Sequence, residues 1–150
     1  MKKLFNFLFL LLLFSCNSLR TANFDQTAYQ KTVEIKVEAD KLIDKSKDDY
    51  SIYEKDVEKL KSQVAFILEY EKNRPNNEIS YTMWELMNNK DKNLLMSYFE
   101  LWKKNKTLSS SFSEEAKKQI DEAFSILLKY EASKTKENEA SLLDIINLKK

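Results

Sequence analysis

Apolar residues recur along most of this chain at alternating intervals of four and three, the spacing that lines one face of an α-helix. Between residues 24 and 47 the stripe is Ala28, Thr32, Ile35, Ala39 and Leu42. Val33, Ile35, Val37 and Ala39 also alternate with Glu34, Lys36 and Glu38, as a half-buried strand would. No other segment offers such a strand a partner, and its backbone groups would go unpaired, so a helix is expected. Tyr53, Val57, Leu60, Val64 and Ile67 line a second helix, with Phe66 and Leu68 widening the stripe. A capping box of Ser51 with Glu54 opens it. Arg74-Pro75 cannot continue it, so it closes near Asn73. The joint at residues 48–50 is short, which implies an antiparallel helical hairpin.

A shorter helix follows, capped by Asn77 and carrying Ile79, Met83, Trp84, Leu86 and Met87. Asn88-Asn89-Lys90 interrupts it, and Asp91 is the expected cap of the next, with Leu94, Leu95, Tyr98, Leu101 and Trp102 inward. Ser111 with Glu114 forms a second capping box ahead of Ala116, Ile120, Ala123, Leu127 and Tyr130, with Phe124 and Leu128 beside that stripe. Residues 133–138 are polar and expected to be mobile. Ser141 with Asp144 starts a last turn or two whose Leu142, Leu143, Ile145, Ile146 and Leu148 are expected to pack back on the rest. Asn73, Asn88, Asn89 and Asn105 sit at predicted helix ends, where Asn is the next best residue to Gly for the left-handed C-cap conformation. Each stripe lasts two to three heptads, too short for a long coiled coil. The expected fold is all-α, a compact bundle of three to five helices built on the hairpin.

Composition narrows the chemistry. Among 150 residues there is no Gly and no His, with one Pro and one Cys. Average usage would give about ten glycines. Their absence removes P-loops, dinucleotide-binding turns and nucleophile elbows. The absence of His removes Ser-His-Asp and Cys-His triads and His metal sites. No cofactor is expected. Lys and Arg number 25 against 24 Asp and Glu, a net charge of +1, unlike the concentrated basic surplus of a nucleic-acid binder.

The first sixteen residues point to an address. Lys2 and Lys3 form a positive start, and residues 4–14 are apolar except for Asn6. Eleven helical residues rise about 16 Å, roughly half the hydrocarbon thickness, so the segment reads as a removable secretory signal and not a span. Leu13-Phe14-Ser15-Cys16 resembles the lipobox of bacterial lipoproteins. Phe14 is the one departure, bulky where the family has a small or β-branched residue, and it bears on how efficiently the signal is processed. The resemblance implies that Cys16 is diacylated on sulfur and that the signal, residues 1–15, is cut before it. As the lone Cys, Cys16 also lacks an intramolecular disulfide partner. Two or three acyl chains together anchor stably. Asn17 is not the Asp that retains such lipoproteins in an inner membrane, so the resemblance implies an outer-membrane location facing the periplasm. The chain then divides into a lipidated tether (16–23), a helical bundle domain (24–132) and a polar linker with a short amphipathic C-terminal helix (133–150). The stretch Arg-Pro-Asn-Asn-Glu-Ile-Ser before Trp84-Glu85 is similar to one in small uncharacterised helical lipoproteins of proteobacterial type. That likeness carries no activity.

Candidate chemistry beyond Cys16 centres on Arg74, Asn76, Asn77, Glu78, Tyr81, Trp84 and Glu85. Here a rigid turn, amides, an Arg and aromatics of the kinds found at binding hot spots come together. The competing expectation is a helix–helix corner whose amides cap ends and whose Trp fills the core. The function that emerges is a membrane-anchored envelope lipoprotein, a non-catalytic interaction or scaffolding module with an envelope protein as partner. Two alternatives stand beside it. One is an enzyme or inhibitor acting on cell-wall material through carboxylates such as Asp48, Asp49, Glu78 and Glu85. The other is a small-ligand carrier with an apolar pocket lined by Tyr, Trp and Met.

Overall fold

The computed structural model describes residues 22–149. The signal segment, Cys16 and the tether as far as residue 21 lie outside the described residues. Those described are all-α, in six helices: α1 (Gln26–Ile43), α2 (Tyr50–Lys72), α3 (Glu78–Asn88), α4 (Leu95–Asn105), α5 (Ser110–Ser133) and α6 (Lys136–Lys149). The sixth exceeds the expected three to five. It arises because residues 136–138, expected in a mobile linker, already belong to a helix that runs far beyond a turn or two.

The predicted stripes are the buried faces. Ala28, Thr32, Ile35, Ala39 and Leu42 are buried on α1, and Val57, Leu60, Val64 and Ile67 on α2. The rival strand over residues 33–39 does not form; Val37 faces solvent. α1 packs on α2 and α5, α2 also meets α3 and α4, and α6 lies against α5 and α3. Leu142 and Ile146 fix α6 to the core. Trp84 and Trp102 are both fully buried. Trp84 meets Phe124 edge-on at 6.1 Å, and Trp102 meets Tyr50 edge-on at 5.4 Å while its Nε1–H donates to the Asp48 carbonyl at 3.0 Å. Among the described residues no helix is long and apolar enough to cross a membrane.

Four helix starts differ from the sequence expectation. Asp49 caps α2, accepting from both the N–H and the hydroxyl of Ser51, which is therefore a first-turn residue and not the cap. Asn77 stands at the N-cap of α3 but its side chain makes no capping bond. Asp91 does not cap α4: its N–H donates to Asn89 Oδ1, and the helix begins four residues later with Leu94 before it. Ser109, not Ser111, caps α5 by accepting from the Phe112 N–H at 3.3 Å. Left-handed backbone occurs at Asn76, Asn93, Lys106 and Lys134. Asn73 and Asn89 do end helices, but with negative φ.

Polar ties join the elements. Tyr98 donates its hydroxyl to Ser46 Oγ at 2.6 Å and lies 2.9 Å from Ser113 Oγ, so α4, the α1–α2 joint and α5 share one buried hydroxyl cluster. The Tyr50 N–H donates to the Lys106 carbonyl, and the Leu108 N–H to the Ser46 carbonyl, each at 2.8 Å. Lys36 on α1 pairs with both Asp40 and Asp121 of α5.

Candidate functional site

One corner of the bundle gathers most of its buried charge. Glu71 ends α2 on the inward stripe, four residues after Ile67, and Glu131 stands four after Leu127 on α5. Both side chains are 0% exposed. A buried carboxylate is costly unless cations and hydrogen bonds answer it. Arg74, 11% exposed, donates from Nη1 to Glu71 Oε2 at 2.8 Å and stands 3.6 Å from Glu131 Oε2. Lys134, 7% exposed, donates to Glu131 Oε1 at 2.5 Å and to Ser80 Oγ at 3.1 Å. Its ammonium also lies 4.3 Å from the Tyr130 ring centre. Asn77 Nδ2 donates to Glu71, and the Ser80 hydroxyl to Glu131.

The N-terminal segment closes this corner. The Ala22 N–H donates to the Asn76 carbonyl at 2.8 Å, and Arg74 Nη2 donates to the Asn23 carbonyl at 2.9 Å. Asp25 caps α1 through the Ala28 N–H at 2.8 Å, accepts from the Tyr70 hydroxyl at 2.9 Å and faces Arg74 Nε at 3.7 Å. From its own place in the turn before α3, Arg74 thus binds three other segments: the chain before α1, the end of α2 and, through Glu131, the end of α5.

The charges there are unequal. Asp25, Glu71 and Glu131 face Arg74 and Lys134, three carboxyls against two cations. Burial, and then the neighbouring Glu131 charge, push the Glu71 carboxyl above its ordinary range. Among the described residues, Glu71 Oε1, Asn77 Oδ1 and Glu131 Oε2 lack hydrogen-bond donors. Burial pulls the Lys134 ammonium below its ordinary value despite Glu131. Burial also drives the Tyr130 phenol up to about 12, helped by the Glu139 and Glu131 charges. Burial raises Asp25 too, but the Ala28 N–H, Tyr70 and Arg74 outweigh it and hold that carboxyl low.

The predicted patch is divided by the structure. Arg74, Asn77 and Trp84 turn inward, the first two into the ion cluster and the last into the core. Asn76, Glu78 and Glu85 are exposed, and Tyr81 is half-buried, its phenol pushed above its ordinary value by the neighbouring Glu85. Glu71, Glu131, Lys134 and Ser80 were not singled out in the sequence. The signal for Glu71 and Glu131 was present all the same, as charged residues occupying the next inward place on two apolar stripes.

Of the carboxylates considered for hydrolysis, Asp48 and Asp49 do not converge with Glu78. Asp48 and Asp49 lie at the start of α2 and Glu78 follows its end, about 34 Å away along a 23-residue helix. Asp49 is a cap and Asp48 accepts from the Tyr53 hydroxyl at 3.2 Å. Between α4 and α5 runs a groove of about 350 Å³ with Leu94, Tyr98, Leu101, Phe112, Ala116 and Ile120 on its walls. It is open to solvent, and neither Trp lines it. No group of three or more carboxylate or Cys side chains is placed to hold a metal ion among the described residues. No family model, curated protein or solved structure matches the chain.

Proposed function

We propose that this chain is a membrane-anchored lipoprotein of the cell envelope, acylated at Cys16. Its helical domain is a non-catalytic interaction or scaffolding module that meets an envelope protein partner in the periplasm, at the outer membrane. The observation that carries the reading is a spacing. The sole Cys ends an apolar, positively flanked leader in a lipobox-like setting, and six residues later Ala22 is already bonded into a self-contained helical domain. The mature protein is then a folded bundle on a short tether. An antiparallel α1–α2 hairpin at its base is supported by Tyr70, near the end of α2, reaching Asp25 at the start of α1. The buried charges support a structural role for the corner, since Glu71 and Glu131 are closed off from solvent by their own partners.

Labelling of cells with a clickable palmitate analogue tests the anchor. The wild-type chain is expected to take the label and fractionate with membranes, and Cys16→Ser to lose both. Unchanged membrane fractionation of Cys16→Ser would overturn the reading.

A further inference from the structure

Two aromatic side chains stand out in water on either side of the chain's N-terminal junction: Phe24 is 56% exposed and Phe66 is 53% exposed. Each is backed by a tyrosine. Phe24 lies 6.2 Å from the Tyr29 ring, and Phe66 stacks on Tyr70 at 6.2 Å with an 18° interplanar angle. The Tyr70 hydroxyl bonds Asp25, the residue after Phe24, so the two pairs stand at the same end of the bundle, beside the start of α1. Phe66, Glu69, Tyr70, Asn73 and Arg74 line a shallow depression there, and Arg74 binds the Asn23 carbonyl at its edge.

We infer that this aromatic surface beds into the interfacial layer of the bilayer that holds the anchor. The inference rests on the lipid-anchor reading above. Its occupant follows from chain length: Cys16 and Ala22 are six residues apart, which span at most about 21 Å when fully extended. Ala22 is fixed to Asn76, so the tether leaves the fold beside the patch and brings that end, and no other, up to the lipid. Exposed Phe side chains bury into the boundary between headgroups and acyl chains, and Tyr, with its polar tip, favours the same depth. Among the described residues, the cations nearby are answered, Lys31 by Glu34 at 2.5 Å and Lys72 by Glu69 at 3.9 Å. Docking is therefore apolar and needs no anionic headgroup.

The test uses the full acylated chain in phosphatidylcholine vesicles, plain or brominated high on the acyl chains. Phe24→Trp and Phe66→Trp place reporters on exposed positions, and Ile52→Trp serves as control about 21 Å back along α2. Trp84 and Trp102 are buried in the core and give a constant background. Brominated lipid is expected to quench the new Trp emission about twofold at positions 24 and 66, at the depth of interfacial contacts, and to leave position 52 unchanged. Vesicle-bound protein with no quenching at either site overturns the docking while the anchor stands. Emission shielded from aqueous iodide but untouched by brominated lipid overturns it also, as a second copy on the patch would give. Full-length chain that fails to co-float with vesicles overturns the anchor and the docking together.

Discussion

Glu71 occupies a place where the stripe of α2 calls for Leu or Ile, and its surroundings set its acidity. A carboxyl raised in the folded state takes up its proton more readily folded than unfolded. Its contribution to stability is complete below its ordinary 4.5 and is lost as pH rises through the higher folded value. The stability of wild type relative to Glu71→Gln is therefore expected to fall as pH rises from 4.5, on the order of 1 kcal/mol per pH unit within that window. Urea midpoints of both proteins at a series of pH values measure this, and a difference that is flat or grows with pH would refute it. Arg74 was visible in the sequence as distinctive, yet its role was not. Periodicity shows which way a residue points along its own helix. It does not show that Glu71 and Glu131, sixty positions apart, turn inward to the same guanidinium.

Helix bodies were legible because a 3.6-residue period survives single substitutions, whereas helix starts depend on one side chain among several equals. Asp48, Asp49 and Ser51 all offer cap oxygens, as do Ser109, Ser110 and Ser111, and the choice between them is made by tertiary ties. Tyr50 donates its N–H to Lys106, and Ser113, one turn into α5, must reach Ser46 and Tyr98. The same ties force left-handed backbone on a chain without Gly. Lys106, at φ 66° and ψ −43°, follows α4 in a region that residues with a Cβ rarely visit. Lys106→Gly keeps the carbonyl that accepts from Tyr50 and relieves the Cβ. It is expected to stabilise the protein by about 0.5–1 kcal/mol after the entropy Gly gains in the unfolded chain. Thermal melts followed by circular dichroism read the effect, and an unchanged or lower midpoint counts against strain at this joint.

Across the whole molecule, the C-terminal helix is where the sequence misled most. The polar stretch that leads into it, residues 133–138, looks like a linker in composition, yet Asn138 is buried and its N–H and amide bond Thr135, Lys129 and Ser133. With Leu142 and Ile146 in the core, α6 closes the bundle over α3 and α5. Leu142→Ala is expected to cost about 2–5 kcal/mol. Helicity and Trp fluorescence should lose it together in one urea transition, whereas an unmoved fluorescence midpoint would mean that α6 peels off by itself. The bond from Ala22 to Asn76 has a mechanical side as well. Any tug along the N-terminal segment arrives at that bond and at the grip of Arg74 on Asn23 before it reaches the first turn of α1. The load is passed to the turn between α2 and α3 and to the end of α5, so the bundle bears tension through its most heavily cross-braced point, and α1 is shielded from being unwound from its end.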